Sequence, residues 1–490
     1  MLFQQKQPIV VSGKANPGAE VIVNLFNEQT MQSLRSGHAK SKSDGKWNVS
    51  LSPLSASYTN YCIKVTSAGD CYWIHDVLIG ELWLSGGQSN MDLPLRYILG
   101  GGTLMTSATN DALRIFYQPI IDGSWYQGVP EAPLDDIAGA EWMKANCERN
   151  VENCSGIAYS FALNLFKSLN GDGQQVPVGI INTAVGATSI DCWMSHQAAE
   201  ADPEIRSKLP QHWNQGEWSE SQYHEPWNQA TALFNLKIAP LTSHAVRGFI
   251  WCQGESDAGL GEPGAQFYQR ALAALIGDWR NQWGKRNQPF ILSQLAAYDD
   301  NGHLPPEQRP SWAFLREAQY EVTKRIPNTA AIPIHDVPLT WNTGDSNYKA
   351  PIHPLDKLPV GERMALAARA IAYGEKVDFQ GPVFERMEMS GDRIVVHFRN
   401  AAGLKFLTGS GLHGFAVCGA DRKFMNATAQ IVGDTVEVSN PRIKSPVALT
   451  YGFSSMNHCA NLFNGAGLPA VPFRTDRIKS EFVDCCDGDD

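Results

Sequence analysis

No run of 18 apolar residues occurs in the chain, so no segment reads as a membrane-crossing helix. Cys-x-x-Cys spacing is missing too. The ten cysteines stand at 62, 71, 147, 154, 192, 252, 418, 459, 485 and 486, a scatter that argues against a zinc site. Basic clusters are absent as well. With Lys and Arg at 40 against Asp and Glu at 50, the net charge of -10 and pI near 5.7 exclude non-specific binding to nucleic acid or to an anionic membrane. The one crowded charge is acidic, Asp487-Gly-Asp-Asp, and reads as a solvated end. The opening Met1-Leu-Phe-Gln-Gln-Lys lacks the charged-then-apolar pattern of a secretory signal. The expected compartment is therefore the cytoplasm for the chain as written, or a secreted or periplasmic location with a signal removed.

What is present is ordinary globular material, 43% hydrophobic and 18% charged over 490 residues, enough for two to four domains. Over residues 1–75 short β-prone runs (Pro8-Ile-Val-Val-Ser, Ala19 to Phe26, Lys46 to Leu51, Tyr61 to Val65) alternate with the turns Asn16-Pro-Gly and Ser43-Asp-Gly-Lys, which predicts a small antiparallel sandwich. Over 76–376 apolar strands alternate with amphipathic helices, the pattern of an α/β unit with a largely parallel sheet. The predicted helices are Ser155 to Leu169, about Gln266 to Trp283 and about Asp356 to Tyr373. Short strands return over 377–480, predicting a second sandwich, with 481–490 as an acidic tail. Cys62 with Cys71 and Cys147 with Cys154 lie close enough in sequence to close small disulfide loops, or to stand as free thiols.

The stretch to explain is Asp76 to Met91, Asp-Val-Leu-Ile-Gly-Glu-Leu-Trp-Leu-Ser-Gly-Gly-Gln-Ser-Asn-Met. Its apolar run is too short for a buried helix and ends at Gly86-Gly87, so it predicts a strand buried on both faces whose C-terminal end presents Ser89 at a ligand crevice. A serine held there exposes its hydroxyl and frees a backbone N–H for a developing oxyanion, although the same residues also suit a plain polar turn. Gly87-Gln88-Ser89-Asn90-Met91 after that strand resembles the first block of the sialate O-acetylesterase family of carbohydrate esterases, within the SGNH (GDSL-like) hydrolases. The likeness extends to Met1-Leu-Phe-Gln and Ala15-Asn-Pro-Gly-Ala at the start and to Asn461 through Asp476 near the end. It implies a flavodoxin-like SGNH domain flanked by two β-sandwiches, and a serine nucleophile at Ser89.

A serine needs a base. Of the 12 histidines, His353 in Ile352-His-Pro-Leu-Asp-Lys matches the family's run around its base. The acid that orients it departs from the pattern: Pro351 stands two residues before His353, where many relatives carry Asp, leaving Asp345 or Asp336 as substitutes, or a Ser-His dyad oriented by a backbone carbonyl. For the oxyanion the resemblance implies Ser89 N–H, Gly186 N–H and the Gln253 side chain, from Gly179 to Thr188 and from Trp251-Cys-Gln-Gly-Glu-Ser, with Val185 and Ala187 departing from the family's block. Glu255 and Asp257 read either as buttressing acids or as parts of a capped turn. Of the 14 tryptophans, Trp193, Trp213, Trp218, Trp227 and Trp341 fall outside predicted strands and are candidate sugar platforms. Arg316 is a candidate partner for a sialate carboxylate, or one half of a helix salt bridge. The expected activity is that of a serine esterase acting on an acetylated carbohydrate, with no metal, cofactor, nucleic acid or membrane insertion involved. The alternative, kept open by Pro351, is a glycan-binding protein that has lost activity.

Overall fold

A computed structural model describes residues 1–118, 130–210, 227–298, 310–338, 352–407, 409–477 and 482. Seven strands open the chain: β1 (Leu2–Gln4), β2 (Ile9–Lys14), β3 (Glu20–Asn27), β4 (Ser33–Lys40), β5 (Lys46–Leu51), β6 (Ser57–Ser67) and β7 (Asp70–Gly87). Alternation buries Trp47, Val49 and Leu51 on β5 and Val21, Val23 and Leu25 on β3, so the β2/β5 pair and the β3/β4/β6 layer share one core. β4 is absent from the sequence prediction because no apolar alternation marks it. Its pairing with β3 alone makes it a strand.

The expected division at 75/76 falls inside β7, which pairs with β6 at one end and enters the central sheet at the other. Within the half paired with β6, where the register shifts between Ile74 and Val77, Asp76 takes φ +55, and its carboxylate pairs with Arg114 at 2.5 Å and Lys144 at 3.2 Å. A shared strand, not a linker, therefore joins the first region to the second.

The central sheet adds β8 (Asn110–Tyr117), β9 (Glu141–Ala145), β10 (Val178–Asn182), β11 (Gly248–Cys252), β12 (Phe290–Ser293) and β13 (Thr329–Ile332) in the order β13-β12-β11-β7-β10-β8-β9. Only β9 runs antiparallel to its neighbour, so the sheet is mixed but mainly parallel. Setting aside the β8/β9 edge, strand order reverses between β7 and β11, and ligands bind at such switch points. Five helices bear on this part: α1 (Ser89–Asp92), α2 (Gly156–Leu169), α3 (Gly261–Gln282), α4 (Ser311–Arg325) and α5 (Leu358–Tyr373). α2 and α5 cover the face that carries Trp83, Ile180 and Ile250, while α3 and α4 cover the face of Leu84, Ile181 and Trp251. Burial on both faces explains the unbroken apolar runs. Ser155 caps α2, its Oγ accepting from Ala158 N at 3.0 Å. α3 begins earlier than predicted, at Gly261.

After Pro382 two four-stranded antiparallel layers enclose a separate core of Ile394, Val396, Val417, Val436, Val438 and Leu449. Neither proposed disulfide forms. Cys62, Cys71, Cys147 and Cys154 are free, since the β6/β7 register sets Cys71 opposite Thr66 rather than Cys62, and Cys154 is buried with its thiol on Val151 O.

Candidate active site

The Ser89 turn sits at the switch point. Gly87 has φ +135, a conformation open to glycine, and Val185 N donates to its carbonyl at 3.0 Å. Gln88 ties the turn to β11: its N–H donates to Cys252 O at 3.0 Å, and its Oε1 accepts from Gly254 N at 3.2 Å and Ser256 N at 3.3 Å. Ser89 then opens α1, half-buried.

His353 Nε2 lies 2.8 Å from Ser89 Oγ, across 264 residues of sequence. Burial and then the nearby Lys357 ammonium push the imidazole down to about 4, so it is neutral at ordinary pH. Gly186 lies alongside, where a Cβ built on it would stand 3.6 Å from Ser89 Cβ. Among the described residues no acceptor takes the N–H of Ser89 or of Gly186. Ala187 follows with φ +55, so the turn keeps a left-handed residue without glycine.

The family whose model matches is the sialic acid-specific acetylesterases, carbohydrate esterases, over residues 80–353, more than half of the chain. The chain belongs to this family. Its curated relatives include the sialate O-acetylesterases of Mus musculus, 29% identical over 79% of this chain and 74% of that one, and of Homo sapiens, 29% over 79% and 72%. Among solved structures, a carbohydrate acetylesterase from Xanthomonas citri superposes with a TM-score of 0.81 at 32% identity, covering 97% of each chain. As a member of this esterase family the chain is a carboxylic ester hydrolase.

Four sequence-derived assignments change within this family frame. Gln253 is 0% exposed, and its Nε2 donates to Thr188 O at 2.9 Å and to Asp257 Oδ2 at 2.6 Å, while its Oε1 accepts from Tyr268. Both amide hydrogens are taken, so Gln253 braces the 183–193 loop instead of facing an oxyanion. Burial pushes its partner Asp257 up to about 7. Gln253→Ala should therefore lower stability by roughly 2 kcal/mol, with activity falling in parallel, as read by urea unfolding and initial rates. A hundredfold loss of turnover at unchanged stability would restore the donor role.

Trp193 is also corrected: it is 0% exposed, stacks edge-on against Trp251 at 5.7 Å and donates to Thr188 Oγ1, leaving no face for a sugar. Trp227 is buried as well, and Trp213, Trp218 and Trp341 lie outside the described residues. Arg316 is 1% exposed, with its guanidinium on the carbonyls of Leu295, Ala296, Ser454 and Ser455 at 2.8, 2.5, 2.7 and 2.9 Å. It joins the segment after β12 to the C-terminal region, and its burial keeps it from a sialate carboxylate. Arg316→Met should cost about 3 kcal/mol or more by stranding buried carbonyls, with KM unchanged in the folded fraction. A raised KM at wild-type stability would return Arg316 to the substrate.

Asp336 is likewise committed to another partner. Burial opposes its ionisation, but Arg363 grips both carboxylate oxygens at 2.7 and 2.5 Å and holds the group below its usual range. Asp345 and Pro351 lie outside the described residues. The sequence reading assigned no part to Asn90 or Lys357, although both stand inside the quoted motifs, because only their buried side-chain contacts distinguish them.

Proposed function

We propose that the chain is a serine carbohydrate esterase that removes O-acetyl groups from a glycan through an acetyl-enzyme on Ser89. The observation that carries this reading is the 2.8 Å contact between His353 Nε2 and Ser89 Oγ. In the proposed first half-reaction Ser89 Oγ attacks the acetyl carbonyl as its proton passes to His353. The tetrahedral oxyanion is met by the Ser89 and Gly186 N–H groups. As the intermediate collapses, His353 returns the proton to the departing sugar oxygen. Water then attacks the acetyl-serine with His353 again as base, releasing acetate and restoring Ser89. With Asp336 held by Arg363, Asp345 is carried forward as the acid proposed to orient His353.

The names of the mouse, human and Xanthomonas citri relatives favour an acetylated glycan as substrate. They leave three classes to compare: O-acetyl sialic acids, acetylated xylan and acetylated xyloglucan. Cys459 is disulfide-bonded, which favours an oxidising, secreted or periplasmic setting. The inactive glycan-binding reading is disfavoured by the assembled Ser89–His353 pair. Acetate release across the three glycan classes, with p-nitrophenyl acetate as a common ester, tests the proposal. No release from any of the four would overturn it.

The base sets the pH dependence. His353 accepts a proton only when neutral, and its ionisation at about 4 keeps it neutral down to mildly acidic solution. The acid limb of kcat/KM should therefore fall near pH 4 rather than near the ~6.5 of a free imidazole. Initial rates between pH 3.5 and 8, with recovery checked on return to neutral pH, would read it.

A further inference from the structure

Asn90 directly follows the nucleophile, and its side chain is saturated by three groups distant in sequence. Its Nδ2 donates to Glu255 Oε1 at 2.5 Å and to Ile352 O at 2.9 Å, and its Oδ1 accepts from Lys357 Nζ. Asn90 is 3% exposed and Lys357 1%. An ammonium thus faces the oxygen end of the amide and the Glu255 carboxyl group, whose ionisation burial opposes, its nitrogen end, so the two hydrogen bonds polarise the amide in the same sense. The third bond reaches the peptide carbonyl of the residue just before His353. The residue after the nucleophile and the residue before the base are therefore held together.

Lys357 is locally misplaced. It occupies the N-cap position of α5, where a side-chain oxygen would satisfy the first N–H groups and a cation opposes the helix dipole, and it makes no capping bond. Burial also works against its charge, lowering it to about 8, with Cys252, Glu255 and Asp356 pulling the other way. Tertiary contact must offset both penalties, and that contact is Asn90.

We propose that Asn90, Lys357 and Glu255 form a clamp that sets His353 against Ser89, with Lys357 and Asn90 as positioning residues and Glu255 as their partly buried acid partner. The proposal rests on the Ser89–His353 reading and adds two consequences to it. The clamp fixes the loop that carries the base, which governs turnover more than binding of a small ester. The Lys357 charge also adds to burial in holding the imidazole's ionisation down. The titratable groups around this unit are Glu255 from the turn after β11, Cys252 at the end of β11, Asp356 on the base loop and, beyond it, Asp336 and Arg363.

The experiment is Lys357→Met, assayed with p-nitrophenyl acetate across pH. A merely structural lysine would lower the melting temperature and the active fraction without moving the acid limb. The clamp predicts a kcat lower by roughly 10- to 100-fold with KM within about twofold, and an acid limb raised by roughly one pH unit. Removing Lys357 alone strands the Glu255 charge, so Lys357→Met with Glu255→Gln provides a charge-balanced second protein in which the same limb shift is expected. A wild-type limb and kcat in either folded variant overturns the clamp. Because Ser89→Ala tests the underlying reading separately, an inactive S89A beside an unshifted K357M removes the clamp alone, whereas a fully active S89A removes the reading beneath it.

Discussion

Ser89→Ala should lower turnover of an acetyl ester by on the order of 10⁴-fold or more while leaving the fold intact. The hydroxyl is half-buried and makes one side-chain contact among the described residues, to His353 Nε2, so its removal strands no buried partner and opens no large cavity. His353→Ala should cost a similar factor for the complementary reason, since Ser89 then has no base. Because the two act as one unit, the double variant should be no worse than the poorer single one. Rates on p-nitrophenyl acetate, with circular dichroism to confirm folding, measure all three. More than about 1% of wild-type turnover in purified Ser89→Ala would falsify the nucleophile assignment, and additive losses in the double variant would mean that the two residues work separately.

Gly87→Ala should be the most damaging single methyl addition at the site. A Cβ there would stand 2.0 Å from Cys252 O and 2.7 Å from Cys252 C, and φ is +135, so the new side chain meets both backbone strain and a rigid neighbour. The neighbour cannot give way, because Cys252 ends β11 in the middle of the sheet and its carbonyl accepts from Gln88 N. A cost of roughly 3 kcal/mol or more is expected, with loss of activity in whatever fraction still folds, since displacing Gly87 moves Ser89. Gly186→Ala supplies the contrast. Its Cβ would stand at an ordinary 3.6 Å from Ser89 Cβ, so its stability should change little. Urea midpoints for the pair decide the matter, and equal values would show that the Cys252 contact does not set the turn.

Much of the central fold was legible because it follows from local pattern. An unbroken apolar run marked the second half of β7, and amphipathic patterning marked α2 and α5. Glycines after an apolar run marked the nucleophile turn, and motif likeness carried Ser89, His353 and Gly186 to one place. β4 was illegible because it is a polar strand made by its partner. The expected boundary at 75/76 falls within β7, which serves two layers without a break.

The sequence by itself determined where the apolar strands and amphipathic helices run and where a serine turn and a histidine loop stand, because backbone conformation responds to neighbours a few residues away. Only the tertiary structure decided what the polar side chains do. Arg316, Gln253 and Asp336 each carry the chemistry of a substrate or catalytic group, yet the first holds four carbonyls, the second braces a loop and the third grips Arg363. Lys357 carries the chemistry of a surface cation and is buried beside the base. The physical reason is that a buried polar group must find its partner wherever packing supplies one, and those partners come from segments tens to hundreds of residues away.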